Sequence, residues 1–460
     1  MRRSGLFISF LCSLIAAGGL ILILRGKAER TSEDVNVILI GIDALRADHL
    51  GCYGYKRNTS PSIDELARDS VLYENTMSQA PWTLPSVTSI FSSLYPSQHG
   101  VGITRYIQKS SLVTLAEILK KNGFTTAAFT GGAYVSRMFG FSRGFMLYEE
   151  LNPAVKLKDE GGIILRHSFL LDVEKIIASA TGWLSANADK KSFLFLYTYE
   201  THAPYFPPAK YDIFAPGYNG PITGDVWKDV GITNDINSRR KPLPPQDRER
   251  LISLYDGQIL CTDDYIGKLI AFLKETNLYD KTMIVLTADH GEEFFDHGAW
   301  EHGDSLHQEL LRVPLIIKYP FSRKKGIERE RLAPSIDIVP TILDTLRIKM
   351  SYPMEGISLA KKAGGRVVFS QSTAPRALAV RKGDFKMIVD FDSSLIELYD
   401  LRRDPREANN LAGRKELLTP LFQEIPKCPG LDLTSPLPSL GKVVMDKSIR
   451  ERLRSLGYLR

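Results

Sequence analysis

The sequence predicts an α/β fold: a doubly wound, mostly parallel sheet flanked by helices, followed by a small C-terminal antiparallel-sheet domain. Three observations carry this. Apolar runs such as "VNVILIGID" and "TMIVLTADHG" lack polar alternation, so each reads as a strand buried on both faces, as in a parallel sheet covered by helices. Such runs alternate with helical patterns from Val35 to residue 349, which implies parallel strands joined by crossovers. From residue 350 the pattern changes to short alternating strands between turn residues, as in "RVVFSQSTAPRALAVRKGDFKMIVDFDSSLIELYDL".

Composition sets limits before any motif is read. The 460 residues are 43% hydrophobic and 24% charged, a globular balance that excludes disorder. The net charge of +6 is spread along the chain rather than gathered into the basic patch that a nucleic-acid partner needs. Cys12, Cys52, Cys261 and Cys428 fit neither a zinc site nor a disulfide framework, so the core must hold without covalent staples.

Residues 1–4 form a short tail ahead of "GLFISFLCSLIAAGGLILIL", residues 5–24, which carry no charge. At helical rise this run spans about 30 Å, the thickness of a bilayer core. A cleaved signal peptide would have a shorter apolar core and small residues before the cut. The segment is therefore read as a single-pass signal anchor. That makes the membrane a partner and places the remaining chain outside the cytoplasmic membrane, periplasmic or extracellular. Residues 25–34 are a polar linker, 35–349 the main domain, 350–415 the antiparallel subdomain and 416–460 a tail. In the tail, "KSIRERLRSLGYLR" puts Ile449, Leu453 and Leu456 on one face of a packing helix.

Within the main domain, "SPSIDELARD" reads as a helix capped by a serine, and "PSVTSIFSSLY" as a second helix. "TLAEILKKNG" has helical spacing and a glycine stop before the strand "FTTAAFTGG". "SFLFLYTYETHAPY" is a strand running into a loop. Residues 245–278 form a long amphipathic helix with a break expected near Gly257. "VPLIIKYP" is a further buried strand, and "SIDIVPTILDTL" a helix.

In open α/β sheets, ligands bind at the carboxyl ends of the strands. Asp43 ends "VILIGID", and Asp289 with His290 ends "MIVLTADHG". Either aspartate alone would be an ordinary loop cap. Together, beside His290, they suit one divalent ion (Ca, Mg, Mn or Zn), while a second ion near His202 and Glu200 stays open. Thr83, in "APWTLPSVTSIF", sits where a helix begins. Its hydroxyl either caps that helix or serves as a nucleophile, stabilised by unpaired N–H groups and the positive end of the dipole. A capping oxygen is occupied, so the two roles compete. His202, in "THAPYFPP", and His302, in "WEHGDSLHQELLRVP", lie past strand ends, placed to bind anionic oxygens and protonate a leaving group. Arg46 pairs either with a substrate anion or with a nearby acid. His99, His297 and His307 are read as structural.

"NVILIGIDALRADHLGCYGY" with "TSPSIDELA", "APWTLPSVTSIFSSLYPSQHGV", "TADHGEEF", "EHGDSLHQELLRVPLII", "SIDIVPTILDTL" and "ELYDLRRDPREANNLA" occur in this order. Together they resemble the sulfatase family of the alkaline phosphatase superfamily, and with the apolar N-terminus and the ending "RERLRSLGYL" the chain is similar to its membrane-anchored bacterial members. The resemblance implies a metal-dependent hydrolase of sulfuric or phosphoric esters that works through a covalent intermediate. It puts Asp43, Asp289 and His290 on metal ligands, Thr83 on the nucleophile, and His202 and His302 on positions contacting the substrate. Typical members carry Cys or Ser within C/S-x-P-x-R, converted to formylglycine. Here the segment is "TLPSV", with Val87 in place of the arginine. Ala44 stands where many members have a second aspartate, and "GGAY" where they have "GKWH". An unmodified threonine resembles the superfamily's phosphodiesterases and its membrane-anchored phosphoglycerol and phosphoethanolamine transferases. Transfer to an acceptor is thus the second functional expectation, and an inactive binding protein that keeps the fold is the third.

Overall fold

The computed structural model describes residues 35–102, 107–151, 155–159, 162–166, 172–231, 240–349, 351–361, 364–373, 376–391, 393 and 395–431. The expected membrane span (5–24) and the tail helix (447–460) lie outside them. Among the described residues, no helix is long and apolar enough to cross a membrane. The signal anchor, with the membrane partnership and the periplasmic or extracellular placement that rested on it, therefore finds no support among the described residues and is not carried further.

Strands β1 (Asn36–Ile42), β2 (Val71–Met77), β3 (Thr125–Thr130) and β4 (Leu147–Glu150) precede a hairpin, β5 (Val155–Asp159) and β6 (Gly162–Arg166). Then come β7 (Ser192–Thr198), β8 (Thr282–Ala288), a short ribbon of β9 (Glu293–Phe294) and β10 (Trp300–Glu301), β11 (Leu315–Lys318) and β12 (Gly326–Pro334). Eight of these form one sheet in the order β12–β2–β11–β8–β1–β7–β3–β4. Only β11 runs against its neighbours, β2 and β8; the other pairings in the sheet are parallel.

All of β1 is buried, and its side chains alternate between two cores. Ile38, Ile40 and Ile42 join one, Val37 and Leu39 the other. The first core is closed by helices Pro61–Arg68, Asp172–Ala186 and Pro245–Glu275. The second is closed by Thr83–Ser92, Leu115–Lys121 and Ile338–Thr345. Burying each Ile, Leu or Val side chain contributes about 1.5–3 kcal/mol, so turning either face to water would forfeit several such terms. This is the sandwich that the unalternating apolar runs implied.

Strands β13 (Val367–Thr373), β14 (Arg376–Lys382), β15 (Phe385–Asp390) and β16 (Ile396–Asp400) form a separate antiparallel meander. It braces the main domain at one place that matters. The Ser370 hydroxyl donates to the Ser78 carbonyl, and the Gln371 amide donates to the Gln79 carbonyl. Ser78 and Gln79 open the loop that leads to Thr83.

Two local expectations are corrected. Ser60 stands at the N-cap of the first helix without capping it; its hydroxyl donates to Asp64 and accepts from the Gly51 amide. The long helix runs unbroken from Pro245 to Glu275. Gly257 serves close packing instead, because a Cβ there would stand 2.8 Å from the Tyr211 carbonyl oxygen and 2.9 Å from Pro207 Cβ. The thiols of Cys52, Cys261 and Cys428 are unpaired, in keeping with a core that needs no staple. The Gly257→Ala variant should gain about 1 kcal/mol in helix propensity and lose about 1–3 kcal/mol to overpacking. A net loss in chemical denaturation is expected, whereas a net gain would mean that the Pro207–Tyr211 loop moves aside freely.

Candidate active site

Ile42 of β1 pairs with Thr198 of β7 on one side and with Ala288 of β8 on the other. Three adjacent parallel strands therefore end at one level, and the next residues of β1 and β8 are Asp43 and Asp289. Ala44 turns the chain there at φ 54°. Its N–H donates to Asp289 Oδ1 at 3.3 Å, and its carbonyl accepts from the Tyr255 hydroxyl at 2.7 Å. His290 keeps Nδ1 on the Gly291 carbonyl at 2.7 Å. That turns Nε2 towards the carboxylates, 3.4 Å from Asp289 Oδ2 and 3.8 Å from Asp43 Oδ1. All three side chains are buried.

Their hydrogen bonding shows what the group lacks. Asp43 Oδ1 is buried with no hydrogen-bond partner. The Tyr197 hydroxyl lies 2.8 Å from Asp43 Oδ2 and 2.7 Å from Asp289 Oδ2, yet a phenol has one proton and cannot donate to both. Burial, then the charge of Asp289, push the Asp43 pKa well above the usual carboxylate range. The set is short of positive charge. Two carboxylates and an imidazole nitrogen within reach of one another make a buried site for a single divalent ion.

Thr83 is the first residue of the helix Thr83–Ser92, and Trp82 holds the cap position. The Thr83 hydroxyl instead donates to Asp43 Oδ2 at 3.3 Å and lies 3.4 Å from His290 Nε2. The hydroxyl therefore faces the carboxylate–imidazole group. One turn on, Ser86 donates to the Asp289 carbonyl at 2.6 Å and meets the Ser78 hydroxyl at 2.9 Å. The helix that carries Thr83 is thus tied directly to the end of β8.

His302 brings a third strand connection to the cluster. Its ring centre is 4.3 Å from that of His290 and 5.0 Å from that of His202. Its Nδ1 lies 2.8 Å from Glu292 Oε1, and Tyr205 donates to the other Glu292 oxygen at 2.9 Å. His202 has Nδ1 2.6 Å from the Ala203 carbonyl. Burial, then His302, pull its pKa down to about 3, so its imidazole is neutral.

Arg46 does not join this group. Its guanidinium pairs with Asp48 at 2.9 Å and Asp296 at 2.8 Å and donates to the Glu292 carbonyl at 3.1 Å. Of the two partners expected for it, a substrate anion or a nearby acid, the acids hold it in this structure. Sequence reading missed Tyr197, Tyr205 and Glu292. Only Glu292 had a local signal, an acid one residue beyond "DHG"; Tyr197 lies in an apolar strand and reads as core, and Tyr205 lies in the proline-rich loop that follows it.

His297, His307 and Glu309 form a second cluster of metal-ligand type. The two rings stack 3.8 Å apart and 7° from parallel. Lone pairs in the planes of parallel rings do not converge on one ion, so this cluster is structural. His297 Nδ1 is 2.6 Å from Glu309 Oε1, and Nε2 is 3.2 Å from the Glu407 carbonyl oxygen. Glu407 also pairs with Lys386 at 2.8 Å, both side chains fully buried. The cluster fastens the segment after β8 to the C-terminal meander.

Residues 35–348 match the Sulfatase family, and residues 295–426 match the family described as N-sulphoglucosamine sulphohydrolase, C-terminal. The chain is 22% identical to an N-acetylglucosamine-6-O-sulfatase of Bacteroides thetaiotaomicron over 83% of each chain. A structure solved in complex with its substrate, D-glucosamine-2-N,6-O-disulfate, superposes with a TM-score of 0.69 at 18% identity, covering 86% of this chain and 99% of that one. For the phosphonate monoester hydrolase of Agrobacterium radiobacter the TM-score is 0.66 at 20% identity, covering 85% of this chain and 94% of that one. The chain belongs to the sulfatase family, and the enzyme is an ester hydrolase of the sulfatase type.

The His297 cluster has a pH signature. Burial alone would lower the His297 pKa, but the hydrogen bond to Glu309 and its charge outweigh burial and raise it to about 9. Because the folded state holds this proton more tightly, the contribution is complete below the unfolded value of about 6.5 and is lost as pH rises through the folded one. The melting temperature should therefore exceed that of His297→Gln by a margin that shrinks between neutral pH and pH about 10. A margin that stays constant would remove the protonated His297–Glu309 pair.

Proposed function

We propose that this sulfatase-family enzyme cleaves an anionic sulfuric or phosphoric ester by attack of Thr83, through a covalent intermediate on that residue. The observation that carries this is the Thr83 hydroxyl, buried at a helix N-terminus, donating to Asp43 at 3.3 Å and 3.4 Å from His290. An alcohol is a weak nucleophile until a base and positive charge stand beside it. Both surroundings support Thr83 here.

Asp43, Asp289 and His290 would hold one divalent cation, which when bound lowers the pKa of a neighbouring hydroxyl and offsets charge on the ester oxygens. The side chains account for the remaining steps. Asp43 takes the Thr83 proton as Oγ1 closes on sulfur or phosphorus. The new Oγ1 bond forms while the bond to the leaving oxygen breaks, in line. N–H groups opening the helix Thr83–Ser92 face the negative charge that develops. His302, with Nδ1 held by Glu292, hands a proton from Nε2 to the leaving oxygen. His202, beside it, contacts the substrate. In the second half, water attacks and gives its proton to His302, while Thr83 leaves with the proton stored on Asp43. The net reaction is ester plus water to alcohol plus acid anion, with the side chains restored.

The similarity to an N-acetylglucosamine-6-O-sulfatase supports a sulfated substrate, whereas the unmodified threonine supports a phosphoester. Turnover of an aryl sulfate and an aryl phosphate separates the two. The Thr83→Ala variant should lose at least about 10³-fold in kcat and, after rapid quenching, lack the mass adduct found on the native enzyme. Native protein with turnover but no trapped adduct at Thr83 would sink the covalent mechanism. Glu292→Gln should cost about 10²-fold on alkyl esters and far less on nitrophenyl esters, whose leaving group needs no proton. An equal loss on both would take His302 out of that role.

A further inference from the structure

We propose that Tyr197 is itself an oxygen donor to the cation at Asp43, Asp289 and His290. The inference rests on the cation centre proposed above and adds a residue to it. Tyr197 is in β7, directly across from Gly41 of β1. A Cβ on Gly41 would lie 2.6 Å from Tyr197 Cδ2 and 3.0 Å from Cε2, so the ring lies flat over β1 in a space only glycine leaves open. From there the hydroxyl reaches the two aspartates, which end the two central strands β1 and β8. The ring is 1% exposed, and its edge-to-face contact with Tyr199, at 5.2 Å between ring centres, holds it in place.

The oxygen separations make the case for a donor rather than a packed core tyrosine. Tyr197 Oη is 2.8 Å from one carboxylate oxygen and 2.7 Å from the other. The phenol proton satisfies one of these contacts. Without a cation, a proton on the carboxyl pair can satisfy the other; with a cation bound the pair carries no such proton, and the second contact is favourable only with the ion seated against both oxygens. A hard divalent ion prefers oxygen donors, and the phenol oxygen still has lone pairs after donating its proton to one carboxylate. No change in the ionisation of Tyr197 is needed for it to serve.

The test uses the full-length protein, stripped with a chelator and titrated with Mn2+ by calorimetry, with ultraviolet difference spectra recorded alongside. Native protein should bind Mn2+ and show a tyrosine difference band as it does so. Tyr197→Phe should weaken Mn2+ binding by at least about tenfold and lose the band, with an unchanged circular dichroism spectrum. Gly41→Ala, which displaces the ring and removes no donor, should weaken binding as well. If Tyr197→Phe fails to fold, the band in native protein decides: Mn2+ uptake without a tyrosine perturbation overturns the assignment. Unchanged affinity in Tyr197→Phe, with loss of binding in Asp289→Asn, removes Tyr197 and leaves the cation centre standing. Native protein that takes up no Mn2+ removes both.

Discussion

Asp43 and Asp289 are buried side by side, bridged by the hydroxyl of Tyr197 at 2.8 and 2.7 Å. Two like charges so placed, away from water, repel by an appreciable fraction of the stability of a domain. The arrangement therefore calls for positive charge from elsewhere. The helix N-terminus at Thr83 faces the pair, and a divalent ion held by Asp43, Asp289 and His290 would supply the larger share. Removing either leaves a carboxylate that must take up a proton, as the raised Asp43 pKa indicates. The chemistry of the site and the stability of the central strands therefore answer to the same electrostatic demand.

That demand explains features remote from the rim. A parallel sheet brings the ends of β8, β1 and β7 to one level, so no long excursions are needed to assemble the ligands. The loop before Thr83 has no such support from the sheet, and the C-terminal meander provides it through Ser370 and Gln371. The segment after β8 is held in the same way. Arg46 grips Asp296 and the Glu292 carbonyl, and the His297–Glu309 and Lys386–Glu407 pairs close it against the second sheet. Arg46, which had a substrate anion as one expected partner, is used here to hold a loop that carries the site.

Glu292 shows how position and chemistry combine. It follows the metal-ligand pair by two residues, yet its carboxylate turns to His302 and Tyr205. A histidine with one ring nitrogen fixed on a carboxylate has its tautomer and orientation set. In the mechanism proposed above, that is what fits His302 to give up a proton beside the Thr83 hydroxyl, although the segment at residues 131–134 reads "GGAY" and Val87 stands where typical members have arginine.

Much of this was legible in the residues alone. Unalternating apolar runs determined a parallel sheet with two cores, and the acids at strand ends determined where a cation belongs, because strand polarity puts carboxyl ends on one rim. Segment 5–24 shows the limit of such reading: an apolar run establishes length and hydrophobicity, and the segment lies outside the described residues, among which no helix is long and apolar enough to cross a membrane. Thr83 was undecided between cap and nucleophile because both use the same hydroxyl at the same helix end; its approach to Asp43 and His290 arises only in the folded structure. Arg46, Tyr197 and Glu292 depended on partners as far as 250, 154 and 87 residues away. No local pattern encodes such pairings. Periodicity and composition act through neighbours along the chain, whereas charge neutralisation and side-chain direction are settled between segments that only the folded structure brings together.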